Sequence, residues 1–184
     1  MDKQDKRQLL INAAYKVFAR NGYKDASIKD IAEFANITPG LVHYYFKSKE
    51  ELFFAVQEKA QKEYHLQYAD KDKDSASLLD VLEEIKTRAT ENPDWYRLRY
   101  ESYAHGIKDE AFQENVSAFL KKGRESIVWP LNEVNSNKTG NRELAGILLA
   151  CFDGLALQKI VDDEFDMDKA YKILWELISN YIKE

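Results

Sequence analysis

The chain has 184 residues, enough for one well-buried core or for a small domain joined to a medium one. With 45% hydrophobic and 32% charged residues it has an ordinary globular composition, and seven glycines and three prolines favour long helices over many short strands. A single cysteine, Cys151, excludes an internal disulfide framework and fits a reducing compartment.

Net charge is −5, which by itself argues against a nucleic-acid partner. The distribution reverses that impression. Residues 1–50 hold nine Lys/Arg against six Asp/Glu, or +3, and the rest hold 18 against 26, or −8. A basic head on an acidic body suits a protein that meets phosphate at one end only. The opening MDKQDKRQLL is charged and then amphipathic, so neither secretion nor lipidation is expected. The most apolar run, Leu144 to Val161, carries Asp153, Gln158 and Lys159, which fits a buried soluble helix better than a membrane span. A cytoplasmic protein with no membrane partner is expected.

Hydrophobic spacing reads as helix nearly everywhere. Residues 4–21 place Leu10, Ala13, Ala14, Val17 and Phe18 on one stripe, and Gly22 supplies a left-handed cap. Ser27 with Asp30 forms a capping box for a second helix reaching about Phe34, whose inner side is Ile28, Ile31, Ala32 and Ala35. After the turn Asn36-Ile37, Thr38 caps a third helix with Pro39 at its first position, where a missing N–H costs nothing. Val42 and Phe46 face inward; Leu41, His43 and Tyr44 point away, while Tyr45 faces the core. Ser48 and Glu51 make a second capping box, starting a fourth helix that runs to about Ala69. A charged linker, 70–75, precedes helices near 76–91, 94–107, 109–134, 141–163 and 167–183. Pro93 fits a helix start, Pro130 is expected to kink a helix, and 135–141 reads as a loop. The fold class is all-α, with about nine helices.

Two short helices joined by a tight turn and braced by a third constitute a helix-turn-helix. In such a unit the second helix enters the major groove. The stretch GYKDASIKDIAEFANITPGLVHYYFKSKEELF resembles the DNA-binding signature of the TetR family of transcriptional regulators. Gly22, Ser27, Ile31-Ala32, Ile37-Thr38, Gly40, Tyr44, Phe46, Ser48-Lys49-Glu50 and Leu52 all fall in register with that pattern. Asn36 stands where the family usually has Gly, and His43 where it usually has Tyr. Asn tolerates the left-handed backbone such a turn needs.

The resemblance implies a helix-turn-helix domain over residues 1–48 and a helical regulatory and dimerisation domain over 49–184. It implies a homodimer on a palindromic operator in duplex DNA, acting as a repressor and released by a small hydrophobic or aromatic-compatible effector. Lys29 would reach phosphate or a groove edge, Thr38, Pro39, Gly40, His43 and Tyr44 would line the groove, and Lys49 would clamp a phosphate. The helix over 141–163 is apolar almost all round and must be buried on every side, partly by a second subunit. CFDGLALQ resembles the family's penultimate helix, so Leu148, Phe152 and Leu155, with Leu174, Ile178 and Tyr181 of the last helix, are the expected dimer contacts. Aromatic side chains concentrated between the linker and these helices, namely Tyr64, Trp95, Tyr100, Tyr103, Phe112 and Phe119, are the candidate effector lining. The stretch from Trp95 to Ile127 is loosely similar to the regulatory domain of the family's choline-responsive branch.

Two other readings are open to a helical chain, an enzyme and a helical adaptor. The sequence carries no H-E-x-x-H, P-loop or G-x-S-x-G, and its three histidines lie far apart, so catalysis, a metal and a cofactor are not expected. Steep salt dependence of duplex binding separates the regulator from the adaptor.

Overall fold

Helix α1 (Lys3–Asp25) buries Leu10, Ala13, Ala14, Val17 and Phe18, the stripe expected from spacing. A computed structural model describes residues 3–69, 78–134 and 139–183. Among them the elements are α1, α2 (Ile28–Phe34), α3 (Pro39–Tyr45), α4 (Lys49–Ala69), α5 (Leu78–Glu91), α6 (Pro93–Gly106), α7 (Glu110–Val134), α8 (Asn141–Val161) and α9 (Met167–Lys183). The charged linker at 70–75 lies outside the described residues.

Local chemistry sets the head. Ser27 and Asp30 close the expected box: Asp30 N–H donates to Ser27 Oγ at 3.1 Å, and Ser27 N–H donates to Asp30 Oδ2 at 2.9 Å. The hydrogen bond from the Ser27 side chain, then that from its backbone, holds the Asp30 carboxyl below the usual carboxylate range. The second box is rearranged. Glu51 N–H donates to Ser48 Oγ at 3.0 Å, but the Glu51 carboxylate accepts from the Lys47 N–H at 2.7 Å, one residue earlier than the motif requires. Asn36 takes the turn at φ 54°, as expected of an Asn in that place.

Two apolar cores result. The first joins α1–α4 through Ile31, Val42, Phe46, Leu52 and Phe53, and also takes in Leu98 of α6 and Phe112 of α7. The second joins α5–α9 through Leu82, Tyr96, Leu131, Leu148, Phe152 and Ile178. Helix α6 therefore contributes to both. Helix α7 continues four residues beyond Pro130, so that proline, which is buried, does not end it.

By length and composition α8 could cross a membrane. It packs instead against α5, α6, α7 and α9, and its mid-helix Asp153 is ion-paired to Arg99. This packing overturns half of the expected dimer contacts. Leu148, Phe152 and Ile178 are at most 2% exposed and fill the second core of their own chain. Leu155 and Leu174 are half-buried against that core, and Tyr181 is exposed. The apolar side chains left outside are Ile147, Leu157 and Val161 on α8 and Ile173, Leu177 and Tyr181 on α9. A helix apolar all round carries no phase in its sequence, so the choice of outward side was a matter of packing.

The cap expected at Gly22 has a different geometry. Its φ of 75° and ψ of 165° lie in a region open essentially to glycine alone, and α1 bends there before a last turn ending at Asp25. A Cβ at this position would stand 3.0 Å from Glu101 Oε1 of α6. Gly22→Ala should therefore lower unfolding stability by about 1–3 kcal/mol in a urea titration. An unchanged midpoint would mean that the bend is not required.

Candidate nucleic-acid interface and cavity

Helix α3 has seven residues, too few to persist alone, and is held by Val42 and Phe46, both buried. Its other side is open. Thr38, Pro39, Gly40, His43 and Tyr44 are all exposed, Tyr44 at 65%, and Lys29 of α2 is exposed as well. Thr38 occupies the cap position, yet its hydroxyl makes no capping hydrogen bond. A Cβ built on Gly40 meets nothing within 4 Å. Tyr45 packs on the first core with its ring edge-on to Tyr44, at 5.0 Å between centroids. Six of the seven residues expected to meet DNA are thus exposed.

Lys49 is the exception. Its ammonium donates to the carbonyls of Tyr23 at 2.8 Å, Ala26 at 3.0 Å and Lys24 at 3.3 Å, and lies 4.5 Å from the centre of the Tyr23 ring. An ammonium has three N–H donors, and all three are engaged inside the protein. Instead of clamping phosphate, Lys49 ties the start of α4 to the orphan carbonyls at the end of α1.

The other expected site divides. A cavity of about 40 Å³ lies between α5, α6, α7 and α8, and Trp95 and Phe119 line it together with Arg99 and Asp153. Phe112 belongs elsewhere: its ring packs 5.2 Å from Tyr23, 5.0 Å from Phe54 and 5.0 Å from His105, at the junction of head and body. Tyr100 and Tyr103 serve the cavity at one remove. Tyr103 donates to Asp153 Oδ2, and Tyr100 to the Asp153 carbonyl, each at 2.7 Å. Burial raises both phenols well above their usual range, so both stay protonated and donate. The side chain of Tyr64 lies outside the described residues. At about 40 Å³ the cavity holds a few waters; a drug-sized molecule would have to open it further.

Arg99 and Asp153 were not singled out from sequence as site residues. Arg99 Nε donates to Asp153 Oδ1 at 2.7 Å and Nη2 to Oδ2 at 3.1 Å, with the two side chains 4% and 15% exposed. One signal could have found them: a lone charge of each sign within helices that must be buried has to be paired.

On the opposite face of α6, Glu101 accepts from the Tyr23 N–H at 3.3 Å, and Gln57 of α4 donates to Ser102. Lys16 of α1 meets Asp94 at 3.4 Å, and the Tyr15 hydroxyl donates to Asn92 at 3.0 Å. Burial and the nearby Asp94 carboxylate push the Tyr15 phenol up to about 12.

A short exposed helix on a braced three-helix head, joined to a helical body that holds a small cavity, defines the class: a helix-turn-helix head on an all-helical body. Residues 10–56 match the profile of bacterial regulatory proteins of the tetR family. Among curated relatives, the Escherichia coli HTH-type transcriptional regulator UidR is 38% identical over 55 residues, 30% of this chain and 28% of its own. The Shigella flexneri regulator AcrR is 30% identical over 94 residues, 50% of this chain and 43% of its own. The matches thus span less than half the length of either relative. Solved structures extend the likeness in fold. Salmonella enterica GusR superposes with TM-score 0.78 at 19% identity, covering 97% of this chain and 98% of its own. A Saccharomonospora viridis regulator crystallised with choline gives 0.80 at 18%, covering 96% and 97%. The chain resembles the tetR family over residues 10–56 in sequence and over nearly its full length in fold. Its relatives are regulators of transcription, not enzymes.

Two substitutions separate contact from support. Lys49→Met should cost about 1–2 kcal/mol of stability and leave the salt slope of duplex binding unchanged, because its hydrogen bonds are internal. Gly40→Ala should leave stability equal or better by a few tenths of a kcal/mol, yet weaken duplex binding at least about tenfold by filling the surface that meets DNA. Fluorescence anisotropy on duplex DNA, beside urea unfolding, reads both.

Proposed function

We propose that the protein is a ligand-responsive repressor that binds a palindromic operator in duplex DNA as a homodimer, with a head over residues 1–48 and a regulatory body over 49–184. The observation that carries this reading is the open side of α3. There a histidine, a tyrosine, a threonine and a bare glycine backbone are exposed, as is Lys29 of α2, a combination suited to base edges and phosphate oxygens. Since DNA lies where the chromosome is, the cytoplasm is the place of action.

The dimer is assigned to the outer faces of α8 and α9. Ile147, Leu157, Val161, Ile173 and Leu177 are between 45% and 77% exposed, large apolar side chains that pairing would remove from water. Two-fold pairing through these faces would set the separation of the two heads, which must reach successive major grooves about 34–36 Å apart or a multiple of it. An effector in the α5–α8 cavity would move α6, and α6 would carry the shift to α1 and α4 through Glu101, Ser102 and Leu98. A ligand that prefers the mismatched spacing releases DNA. The Saccharomonospora viridis neighbour, crystallised with choline, supports the reading that this fold can hold a small molecule.

Selection of bound duplexes from a random pool tests the proposal directly. An inverted repeat should be recovered, with affinity falling steeply as salt rises. Leu177→Glu should shift the chain toward monomer in sedimentation and lower its affinity for that repeat at least about tenfold. Recovery of single half-sites, or a Leu177→Glu protein that still pairs, would count against the dimer.

A further inference from the structure

The two charged partners Arg99 and Asp153, which face one another in the cavity wall, are not equally spent. The Asp153 carboxylate accepts three hydrogen bonds, two from Arg99 and one from Tyr103. With about four lone-pair positions in all, it has little left for a ligand. Arg99 uses Nε and Nη2 on Asp153. Its third nitrogen, Nη1, with two N–H donors, has no hydrogen-bond partner among the described residues, although the side chain is only 4% exposed. A second guanidinium, Arg88, lines the same cavity, but its charge is met by the Glu84 carboxylate, which accepts from Arg88 Nε at 3.0 Å. Beside the cavity, Tyr171 stacks on the lining residue Phe152, and its buried hydroxyl has no partner among the described residues. Of these two unmatched groups, the Tyr171 hydroxyl can donate or accept, whereas Arg99 Nη1 can only donate.

The aromatic rings point the same way. An organic cation binds by settling among ring faces, and here the protein's own cation is already there. The Arg99 guanidinium lies 4.5 Å from the centre of Phe119, 5.0 Å from Trp95 and 5.2 Å from Tyr103. A ligand ammonium would have to expel Arg99 both from these rings and from Asp153, leaving a buried guanidinium unpaired. An anion asks for no such exchange.

We infer that the cavity takes a small organic anion, a carboxylate on a compact apolar body. Its oxygens accept from Arg99 Nη1, and Trp95, Phe119 and Ile127 surround the apolar part. The inference rests on the proposed reading of this cavity as the effector site. Because the open space is about 40 Å³, the acid enters by parting side chains. Its charge then competes with Asp153 for Arg99 and slackens the bond between α6 and α8.

Calorimetric titration of the full chain with benzoate and 3-methylbutanoate, their uncharged amides, and choline tests this. At least one acid should bind saturably at millimolar concentration, with its amide at least about tenfold weaker and choline showing no binding. In Arg99→Met with Asp153→Asn, shown to be helical by circular dichroism, the preference for acid over amide should vanish. Should that pair fail to fold, Asp153→Asn alone removes the charge that neutralises Arg99, and the same acid should then raise its melting temperature more than that of the unaltered protein. Amide binding equal to acid, choline binding more tightly than either acid, or no acid binding at all overturns the inference. A duplex selection that still recovers an inverted repeat would leave the regulator reading standing in each of those cases. Acid binding with no duplex recovered would do the reverse.

Discussion

The ion pair between Arg99 and Asp153 fixes where α6 sits, and much of the molecule is arranged around α6. Taking two charges out of water costs several kcal/mol each, and only good geometry offsets it. Here a two-pronged guanidinium–carboxylate contact, a tyrosine hydroxyl on the same carboxylate and three aromatic rings around the cation supply that geometry. Stranding either partner in such a setting costs about 3–5 kcal/mol. Helix α6 can therefore neither roll nor slide along α8 without a large penalty, unless something else meets the charge of Arg99.

The same helix holds the head by its other face. Trp95, Arg99 and Tyr103 recur every four residues toward the body, while Leu98, Glu101, Ser102 and His105 lie on the opposite side. Glu101 binds the backbone of Tyr23, the Tyr23 carbonyl accepts from Lys49 at the start of α4, and the Tyr23 ring packs among Phe53, Phe112 and His105. One residue thus joins α1, α4, α6 and α7. A movement of α6 is felt by α1 as directly as by α4, because Asn92, Asp94 and Glu101 all bond to α1. Allosteric couplings of about 1–3 kcal/mol are ordinary, and partial weakening of one buried ion pair is on that scale.

What the sequence made legible was what its neighbours in sequence decide. The Ser27–Asp30 box, the positive φ of Asn36, Pro39 at a helix start and the inward Val42 and Phe46 all rest on residues within four positions of one another. What it hid was decided at a distance. Lys49 finds its carbonyls 23 to 26 residues away, so from sequence it could as well have faced phosphate. The aromatic periodicity around Phe112 announced burial but not which of two cores would take it. Helix α8 is apolar on all sides and gave no phase, and in α9 Ile178 turns inward while its neighbours Ile173 and Leu177 stay out. The α6–α8 ion pair was within reach, since Asp153 already stood out as a charge in an apolar run and wanted only a buried partner of opposite sign.

The open side of α3 is built from exposed residues, with Val42 and Phe46 left to anchor the helix in the first core. The Thr38 hydroxyl leaves the cap unmade, Gly40 gives up helix stability with nothing packed over it, and His43 and Tyr44 stand in water. A helix of seven residues so furnished has no independent reason to persist, and its direction is whatever the first core imposes through Val42 and Phe46. That core includes Leu98 of α6 and Phe112 of α7, so the aim of the exposed surface is set in part by residues of the body. On the proposed reading, a signal from the cavity need not travel along any special wire to reach α3. It has only to move α6, which is already part of the core on which α3 rests.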